Sequence, residues 1–334
     1  MPRITSLLVV ATPDEQIKFL SGSALSDLRA LASEFRLVDP SRHPPEPFAR
    51  ELTAFNPEVI VCGWATLPMP ATLPPRLRYV CYLTGSVKKL VTRVQLERGL
   101  LLTNWGSAIS RTVAECALFH TLACLRLATK WTLMIHRDGG WRDGWEANAS
   151  LFHRRVGIHG FGPVARAFLK LIAPFGCMVS VFAPDVDATV AASHGVTRAA
   201  SLDALFADND VIIELAPLIP ATIGIVTERH LRLIRPGGVF VNVGRAAIVD
   251  EAALLRVARE GKISVGLDVF VDEPLPKDSG FRGLPNVSLT PHIAGPTLDR
   301  YGDATAFALR NLRAYAADQP LEAVITPAIY DSST

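Results

Sequence analysis

The chain has 334 residues, of which 49% are hydrophobic and 20% are charged, a balance typical of a folded globular protein. This length allows one large domain or two ordinary ones. The net charge of +2 is too small for a basic face that would bind nucleic acid or an anionic membrane, so we expect neither partner.

The N-terminal segment has only a short apolar run, which ends at Pro13, and this predicts a first strand rather than a signal peptide. The longest apolar region, residues 114–135, contains Glu115, Arg126 and Lys130, which predicts one buried helix rather than a membrane span. The five cysteines form no C-x-x-C pair, which favours reduced thiols and no zinc site. We therefore expect a cytoplasmic protein.

Short apolar runs rich in Val and Ile alternate with longer helical patterns along almost the whole chain. The predicted strands are SLLVVA, VIVCG, RYVCYL, LLLTN, RVGIHG, MVSVFA, VIIEL, GVFVNV, SVGLDVF and VSLTP. Continuous apolar strands indicate burial on both faces, as in parallel sheets flanked by helices. The sequence therefore predicts a doubly wound α/β fold.

Two changes of pattern suggest domain boundaries. The first strand series gives way near residues 104–107 to a long helix that starts at about Ser110, and a second change falls near residues 295–299. We expect one discontinuous domain, residues 1–106 with 297–334, and a second domain, residues 107–296, inserted into it. The Gly- and Trp-rich stretch 136–145 is predicted to be an exposed arm.

A glycine-rich loop joins a predicted strand to a predicted helix in RRVGIHGFGPVARAFLKLIAPFG. Gly160 allows a tight turn, Gly162 allows a pyrophosphate to come close, and Ala165 lets the helix pack on the strand. The N–H groups at the start of that helix would face the anion, and Pro163 leaves more of this contact to Val164. The cofactor-binding residues expected in this loop are Gly160, Phe161, Gly162, Pro163 and Val164.

The next strand, MVSVFAPDVD, should end near an acid that binds the ribose hydroxyls of the cofactor. The strand ends at Ala183, and the acids come later, at Asp185 and Asp187. No Arg or Lys in this segment would bind a 2′-phosphate, so the sequence favours NAD over NADP. We expect Ala183 and Asp185 to lie at the cofactor.

Three further stretches place reactive side chains at predicted strand ends: VNVGRAAIVD, SVGLDVFVDEPLP and SLTPHIAG. The guanidinium of Arg245 can bind a carboxylate and polarise the adjacent carbonyl group. His292 can donate a proton to the carbonyl oxygen while a hydride reaches the carbon. Glu273 would orient the imidazole and stabilise its protonated form. Together they are suited to the reduction of a 2-oxo acid.

These stretches, with RTVAE at 111–115, resemble the D-isomer-specific 2-hydroxyacid dehydrogenase family, most strongly from Val156 to Gly295. The resemblance implies the catalytic roles just given, reduction of acids such as glyoxylate or hydroxypyruvate, and a homodimer formed through the long helix and the Trp-rich arm. It also implies a Rossmann cofactor domain inserted into a flavodoxin-like substrate domain. Further cofactor-binding residues implied are Thr112, Ala216, Pro217, Thr222, Val243, Gly244, Asp268, Ala294 and Gly295.

The sequence departs from the family pattern in the first domain. The family's substrate loop commonly reads Gly-x-Gly followed by Val-Asp, whereas this chain has Thr84-Gly85-Ser86-Val87-Lys88. In one interpretation Thr84, Gly85 and Ser86 still bind the substrate carboxylate and Lys88 adds positive charge. In the other, Lys88 is simply solvated and the loop has lost this role.

Three functional hypotheses remain at this point. The first is a cytoplasmic, NAD-dependent reductase of small 2-oxo acids. The second is a nucleotide-sensing interaction protein on the same fold, which the altered loop and Ala183 would allow. The third is an enzyme that uses NADPH. His120, His153 and His159 are expected to be packed or interface residues without a catalytic role.

Overall fold

The computed structural model of the protein describes residues 4–42, 45–142 and 148–333. The strands are β1 (Ile4–Val10), β2 (Ala32–Val38), β3 (Val59–Cys62), β4 (Tyr79–Tyr82), β5 (Leu101–Thr103), β6 (Arg155–His159), β7 (Met178–Phe182), β8 (Thr197–Arg198), β9 (Val211–Glu214), β10 (Val239–Asn242), β11 (Ser264–Leu267) and β12 (Val287–Leu289). The helices are α1 (Pro13–Phe19), α2 (Ala24–Leu31), α3 (Pro45–Phe55), α4 (Arg93–Glu97), α5 (Ser110–Leu125), α6 (Ala128–His136), α7 (Pro163–Ile172), α8 (Ala188–Ser193), α9 (Leu202–Asp208), α10 (Glu228–Leu233), α11 (Glu251–Arg259), α12 (Tyr301–Ala316) and α13 (Pro327–Ser332).

The chain divides into two compact units. The first joins Met1–Ile109 to Pro296–Thr334, and the second is the uninterrupted segment Ser110–Gly295. The crossings therefore lie close to the boundaries expected from the sequence. Each unit is built on its own parallel sheet, so the predicted class of two doubly wound α/β domains is confirmed.

The first unit contains a five-stranded sheet in the order β2-β1-β3-β4-β5. All its pairings are parallel, and this order is the flavodoxin-like one. The second unit contains a seven-stranded parallel sheet in the order β12-β11-β10-β9-β6-β7-β8. That order reverses between β6 and β9, the point where ligands bind in open α/β sheets.

Both faces of the larger sheet are covered, because successive residues of β9 pack into two different cores. Val211 and Ile213 join a cluster with α5 and α7, while Ile212 joins a cluster with α9 and α11. A strand buried on both faces reads as a continuous apolar run. Glu214 and Asn242 are the polar residues of β9 and β10, and they lie at the carboxyl ends, where the site described below is formed.

Two strands and one break were not foreseen. β2 carries charged and half-exposed residues at the edge of its sheet, and β8 has only two residues, so neither shows an apolar run. The single buried helix expected over 114–135 is wrong. Leu127 adopts a left-handed conformation (φ 54°), which separates α5 from α6, and α6 has no buried residue.

None of the helices formed by the described residues is both long and apolar enough to cross a membrane. The exposed arm expected at 136–145 is described only as far as Arg142, and residues 143–147 lie outside the described part of the chain.

Candidate active site

His292 and Glu273 meet beside the last strands of the larger sheet. His292 follows β12, Glu273 follows β11, and Nδ1 of the imidazole lies 2.7 Å from Oε2 of the carboxylate. His292 adopts a left-handed backbone conformation (φ 53°) that non-glycine residues rarely occupy. About half of its side chain is exposed. The geometry leaves Nε2 to face a substrate.

Glu273 is held from a second side, because its Oε1 accepts the N–H of Phe270 at 3.0 Å. Burial alone would raise the pKa of Glu273. The hydrogen bonds from His292 and Phe270, with the charges of His292 and Arg245, outweigh burial and lower this pKa. Glu273 therefore remains a carboxylate and stabilises a protonated imidazole.

Arg245 lies just beyond β10 and is half-buried. Burial lowers its pKa, although the charge of Glu273 acts in the opposite direction; an arginine nevertheless stays protonated in proteins. The turn is fixed by Asn242, whose amide donates to the carbonyl of Arg245 at 3.1 Å and accepts the N–H of Gly244 at 3.0 Å. Sequence analysis missed Asn242, although it is the one polar residue of an apolar strand.

Asp268 lies beneath the His292 turn and is fully buried. Its Oδ1 accepts the N–H of Ile293 at 2.9 Å, and its Oδ2 accepts the N–H of Ala294 at 2.8 Å. The hydroxyl of Thr290 donates to Oδ1 at 2.5 Å. The carboxylate therefore accepts hydrogen bonds from the protein backbone, and its place at the cofactor stays a prediction from the resemblance.

The glycine-rich loop has the form expected of a pyrophosphate cradle. Gly160 has φ 86°, and a Cβ there would lie 2.6 Å from Cα of Ala216, so this position requires glycine. Gly162 precedes α7, no side chain caps that helix, and a Cβ at Gly162 would meet nothing within 4 Å. Pro163 is the first residue of α7. The open space and the uncapped N–H groups fit a bound anion.

The acids after β7 are divided between two roles. Asp187 caps α8, since its Oδ1 accepts the N–H of Val190 at 2.8 Å. Asp185 is exposed, while Ala183 at the strand end is buried. Asp185 is therefore the acid in this segment that is left to bind ribose hydroxyls.

Other residues expected at the cofactor are partly engaged by the protein itself. The N–H of Ala216 donates to Oε1 of Glu214 at 3.0 Å. The hydroxyl of Thr222 donates to the carbonyl of Pro217 at 2.6 Å and so closes the turn after β9. Three further residues of the expected set lie near the ends of elements in the same unit: Thr112, Val243 and Gly244. Gly295 lies in the loop between β12 and α12.

A buried ion pair lies at the switch point of the sheet. His159 ends β6, Glu214 ends β9, and the two are register neighbours. Nδ1 of His159 lies 2.7 Å from Oε2 of Glu214, and both side chains are almost completely buried. The expectation of a packed His159 is compatible with this position, but its partner was missed because the pairing depends on strand register.

In the first unit, the altered substrate loop follows β4. Thr84 is fully buried, and a Cβ at Gly85 would lie 2.9 Å from the ring of Trp105. The backbone N–H groups of Gly85 and Ser86 make no hydrogen bond with the described residues. Lys88 lies over the ring of Tyr330, 5.9 Å from its centroid, so it is not simply solvated.

Comparison with known proteins identifies the class of molecule. A family model described as D-isomer specific 2-hydroxyacid dehydrogenase, NAD binding domain, matches residues 118–294. The chain is 30% identical over 260 residues to glyoxylate/hydroxypyruvate reductase B of Pectobacterium carotovorum, covering 76% of this chain and 81% of that relative.

Two solved structures share the fold over nearly the whole length. A glyoxylate reductase from Paecilomyes thermophila has a TM-score of 0.82 at 24% identity, covering 97% of this chain and 99% of that one. An NADPH-dependent glyoxylate/hydroxypyruvate reductase from Sinorhizobium meliloti, in complex with citrate, has a TM-score of 0.75 at 23% identity, covering 96% and 98%.

The chain belongs to the D-isomer-specific 2-hydroxyacid dehydrogenase family, as its motifs predicted. It is an oxidoreductase that interconverts 2-oxo acids and D-2-hydroxy acids, and it carries the NAD-binding domain of that family. The comparisons give no support to the alternative of a nucleotide-sensing interaction protein.

Proposed function

We propose that the protein reduces small 2-oxo acids of the glyoxylate and hydroxypyruvate type, with His292 as the proton donor. The observation that carries this proposal is the 2.7 Å contact between His292 and Glu273. A carboxylate bonded to Nδ1 fixes the imidazole orientation and leaves Nε2–H to protonate an oxygen. The named activities of the relatives support the substrate class.

The side chains divide the chemistry between binding and proton transfer. When it is bound, the reduced nicotinamide supplies the hydride. Arg245 binds the substrate carboxylate and polarises the carbonyl group next to it. Nε2 of His292 donates the proton that converts the carbonyl oxygen into a hydroxyl, and Glu273 stabilises the imidazolium before this transfer.

The loop Gly85–Ser86 is proposed as a second binding group for the substrate carboxylate. Support comes from its two N–H groups, which have no acceptor among the described residues. Thr84 is completely buried, so we propose the backbone N–H groups of Gly85 and Ser86, rather than the Thr84 side chain, as the binding groups. The positive charge of Lys88 remains associated with Tyr330.

We propose NAD rather than NADP as the preferred cofactor. The acid at Asp185 is exposed beyond the end of β7 and would repel a 2′-phosphate but accept hydrogen bonds from ribose hydroxyls. NADPH-dependent relatives share the fold, so the two cofactors should be compared at equal concentration. A higher kcat/KM for NADPH than for NADH would contradict this proposal.

A cytoplasmic homodimer is proposed as the working form. The cysteines Cys62, Cys81 and Cys124 are buried free thiols, which favours a reducing compartment. The helix α6 exposes apolar side chains and buries none, which favours a second copy of the chain as its partner.

The activity is tested by the absorbance of the reduced nicotinamide, with NADH or NADPH and a panel of 2-oxo acids. We expect turnover with small acids, and we expect His292→Ala to lower kcat by about 10²- to 10⁴-fold, the usual contribution of general acid catalysis. His153→Ala is the matched control, because His153 is also left-handed (φ 59°) but is not part of the site. Equal losses in both variants, or no loss in either, would contradict the role of His292.

A further inference from the structure

His120 is a buried imidazole that the proposed chemistry does not use. It lies in α5, and its side chain is completely inaccessible to solvent. Nδ1 lies 3.0 Å from the hydroxyl of Ser288, and Nε2 lies 2.8 Å from the hydroxyl of Thr290. Ser288 lies in β12 and Thr290 directly follows that strand, on the segment that leads into His292.

The space for this imidazole is built into the neighbouring strand. A Cβ on Gly266 of β11 would lie 2.6 Å from Cβ of His120 and 3.3 Å from its Nδ1. A side chain at residue 266 would therefore displace the ring. Burial lowers the pKa of His120 to about 4, although the charge of Asp268 acts in the opposite direction. The ring is consequently neutral at neutral pH, with one donor and one acceptor nitrogen.

The acceptor at the end of this hydrogen-bond network decides which atom donates in each bond. The carboxylate of Asp268 can only accept, so the hydroxyl of Thr290 donates its proton to Oδ1. Thr290 must then accept from Nε2–H of His120, because its single proton is already used. Nδ1 is left as the acceptor, and it receives the hydroxyl proton of Ser288. The network thus allows one tautomer of His120.

The hydrogen-bond network ends on the backbone directly after His292, the proposed proton donor. Asp268 accepts the N–H groups of Ile293 and Ala294, the two residues after His292. His292 has φ 53°, a conformation that persists only where the surroundings enforce it. The two hydrogen bonds to Asp268 hold the backbone in this conformation, while Glu273 orients the side chain.

The same neighbourhood could be considered as a metal site. Cys116, His120 and Asp268 place possible ligand atoms within 4.8 Å of one another. However, both nitrogens of His120 and both oxygens of Asp268 already have hydrogen-bond partners. Two of those partners are backbone N–H donors, and a metal ion could not serve as their acceptor. The observations therefore favour a hydrogen-bonded relay over a metal ligand set.

We propose that His120 is a positioning residue for His292: its Nε2–H directs the Thr290 hydroxyl onto Asp268, which holds the two amides that follow His292. This inference rests on the proposed function, in which His292 donates the proton. His120 acts through Thr290 and Asp268 and needs no contact with the substrate or the cofactor. His120 is packed, as one of the two sequence interpretations expected, and the proposed role adds to that position.

The kinetic test compares two substitutions of His120. His120→Met keeps the volume but removes the donor to Thr290, and we expect kcat to fall by about tenfold, as for other residues that orient a reactive group. The KM for NADH should stay within about twofold. His120→Gln carries an amide NH₂ near the position of Nε2, so it should recover most of kcat.

Thr121→Val is the matched control, because Thr121 is equally buried in α5 but bonds only to its own helix, at Ala117. It should leave kcat unchanged. If His120→Met keeps the wild-type kcat, or if His120→Gln is as impaired as His120→Met, the positioning role is wrong. In the second case, the loss is due to packing alone.

A spectroscopic test separates this inference from the proposed function. In protein labelled with ¹⁵N-histidine, the His120 signals, identified by their loss in His120→Met, should show a protonated Nε2 and an unprotonated Nδ1 between pH 6 and 8. The opposite tautomer, or an imidazolium, would overturn the relay even in an active enzyme. A protein with the expected tautomer but no turnover of any 2-oxo acid would contradict the proposed function and leave the relay supported.

Discussion

The pair of His159 and Glu214 shows how one buried residue can set a pH dependence of folding. Burial opposes the charge on His159, but the charge of Glu214 and the hydrogen bond between them outweigh it and raise the pKa of His159. An unfolded histidine has a pKa of about 6.5. The stabilisation is therefore complete below that value and is lost as the pH rises through the higher pKa of the folded state.

We expect His159→Gln to remove this dependence, because glutamine can donate to Glu214 but cannot lose a proton. The difference in melting temperature between wild type and variant should be largest near pH 6 and should shrink as the pH rises to 9. Circular dichroism melts at steps of half a pH unit would measure it. If the melting temperatures of wild type and His159→Gln run parallel across that pH range, the pair does not titrate as the structure indicates. His153→Gln is the control, because His153 is exposed, and its curve should run parallel to that of the wild type.

Reactive residues were predictable from the sequence where one polar side chain follows an apolar strand at a turn. His292, Glu273 and Arg245 are of this kind, and the first two do lie in contact. Glu214 and the role of His120 were not predictable, because each depends on a partner that strand register or helix packing brings near. Asn242 was missed although its partners, Gly244 and Arg245, are its neighbours in the sequence. A polar residue at a turn can be recognised from its neighbours in the sequence. Its partner cannot, as Glu214 shows, because it lies 55 positions from His159.

At the scale of elements, the two glycines in the turn from β6 into α7 are required for different reasons. Gly160 needs both its positive φ and the absence of a Cβ, while Gly162 has φ −74° and open space around it. The fold therefore requires the first glycine, and the anion requires the second. Substitution by alanine should separate stability from cofactor binding.

We expect Gly160→Ala to lower the melting temperature, since a left-handed alanine costs about 1–2 kcal/mol before the clash with Ala216 is counted. Gly162→Ala should keep the melting temperature but weaken NADH binding by about tenfold, equivalent to ~1.4 kcal/mol. Thermal melts and titration of NADH fluorescence would measure the two effects. A Gly162→Ala variant with wild-type affinity would mean that the pyrophosphate does not approach this position.

Strands were predictable from the sequence where both of their faces are buried. All ten apolar runs are strands in the structure, but β2 and β8 lie at sheet edges, where exposure permits polar residues. The break at Leu127 carries no glycine or proline, so no local signal separates α5 from α6. Packing on the sheet, rather than helix propensity, decides where α5 ends.

At the scale of the molecule, the two units have separate cores and separate sheets. The first core contains Leu8 and Ile60 from the smaller sheet, and the second unit has a core on each face of the larger one. This organisation was predictable because the cofactor motif sits between two strand series. The exposure of α6 was not predictable, since its apolar sequence indicates burial, whereas none of its residues is buried.

Exposed apolar side chains on α5, on α6 and at the start of the arm favour a dimer. Phe119, Ile135 and Trp141 are exposed by 54%, 47% and 76%, and all belong to the segment that includes α5, α6 and the start of the arm. Large contiguous apolar patches are rare on monomers, and a stable dimer buries roughly 1,200–2,000 Å² in total. A second copy of the chain would remove these side chains from water.

We therefore expect light scattering to give twice the mass of one chain at micromolar concentration. Ile135→Glu would place a charge in the dimer interface and should shift the mass toward a single chain, because a buried unpaired carboxylate is strongly unfavourable. Ile17→Glu is the control, since Ile17 is exposed by 70% but belongs to the first unit. If wild type already has the mass of one chain, or if Ile17→Glu dissociates the dimer and Ile135→Glu does not, then α6 is not the contact and its apolar side chains face solvent.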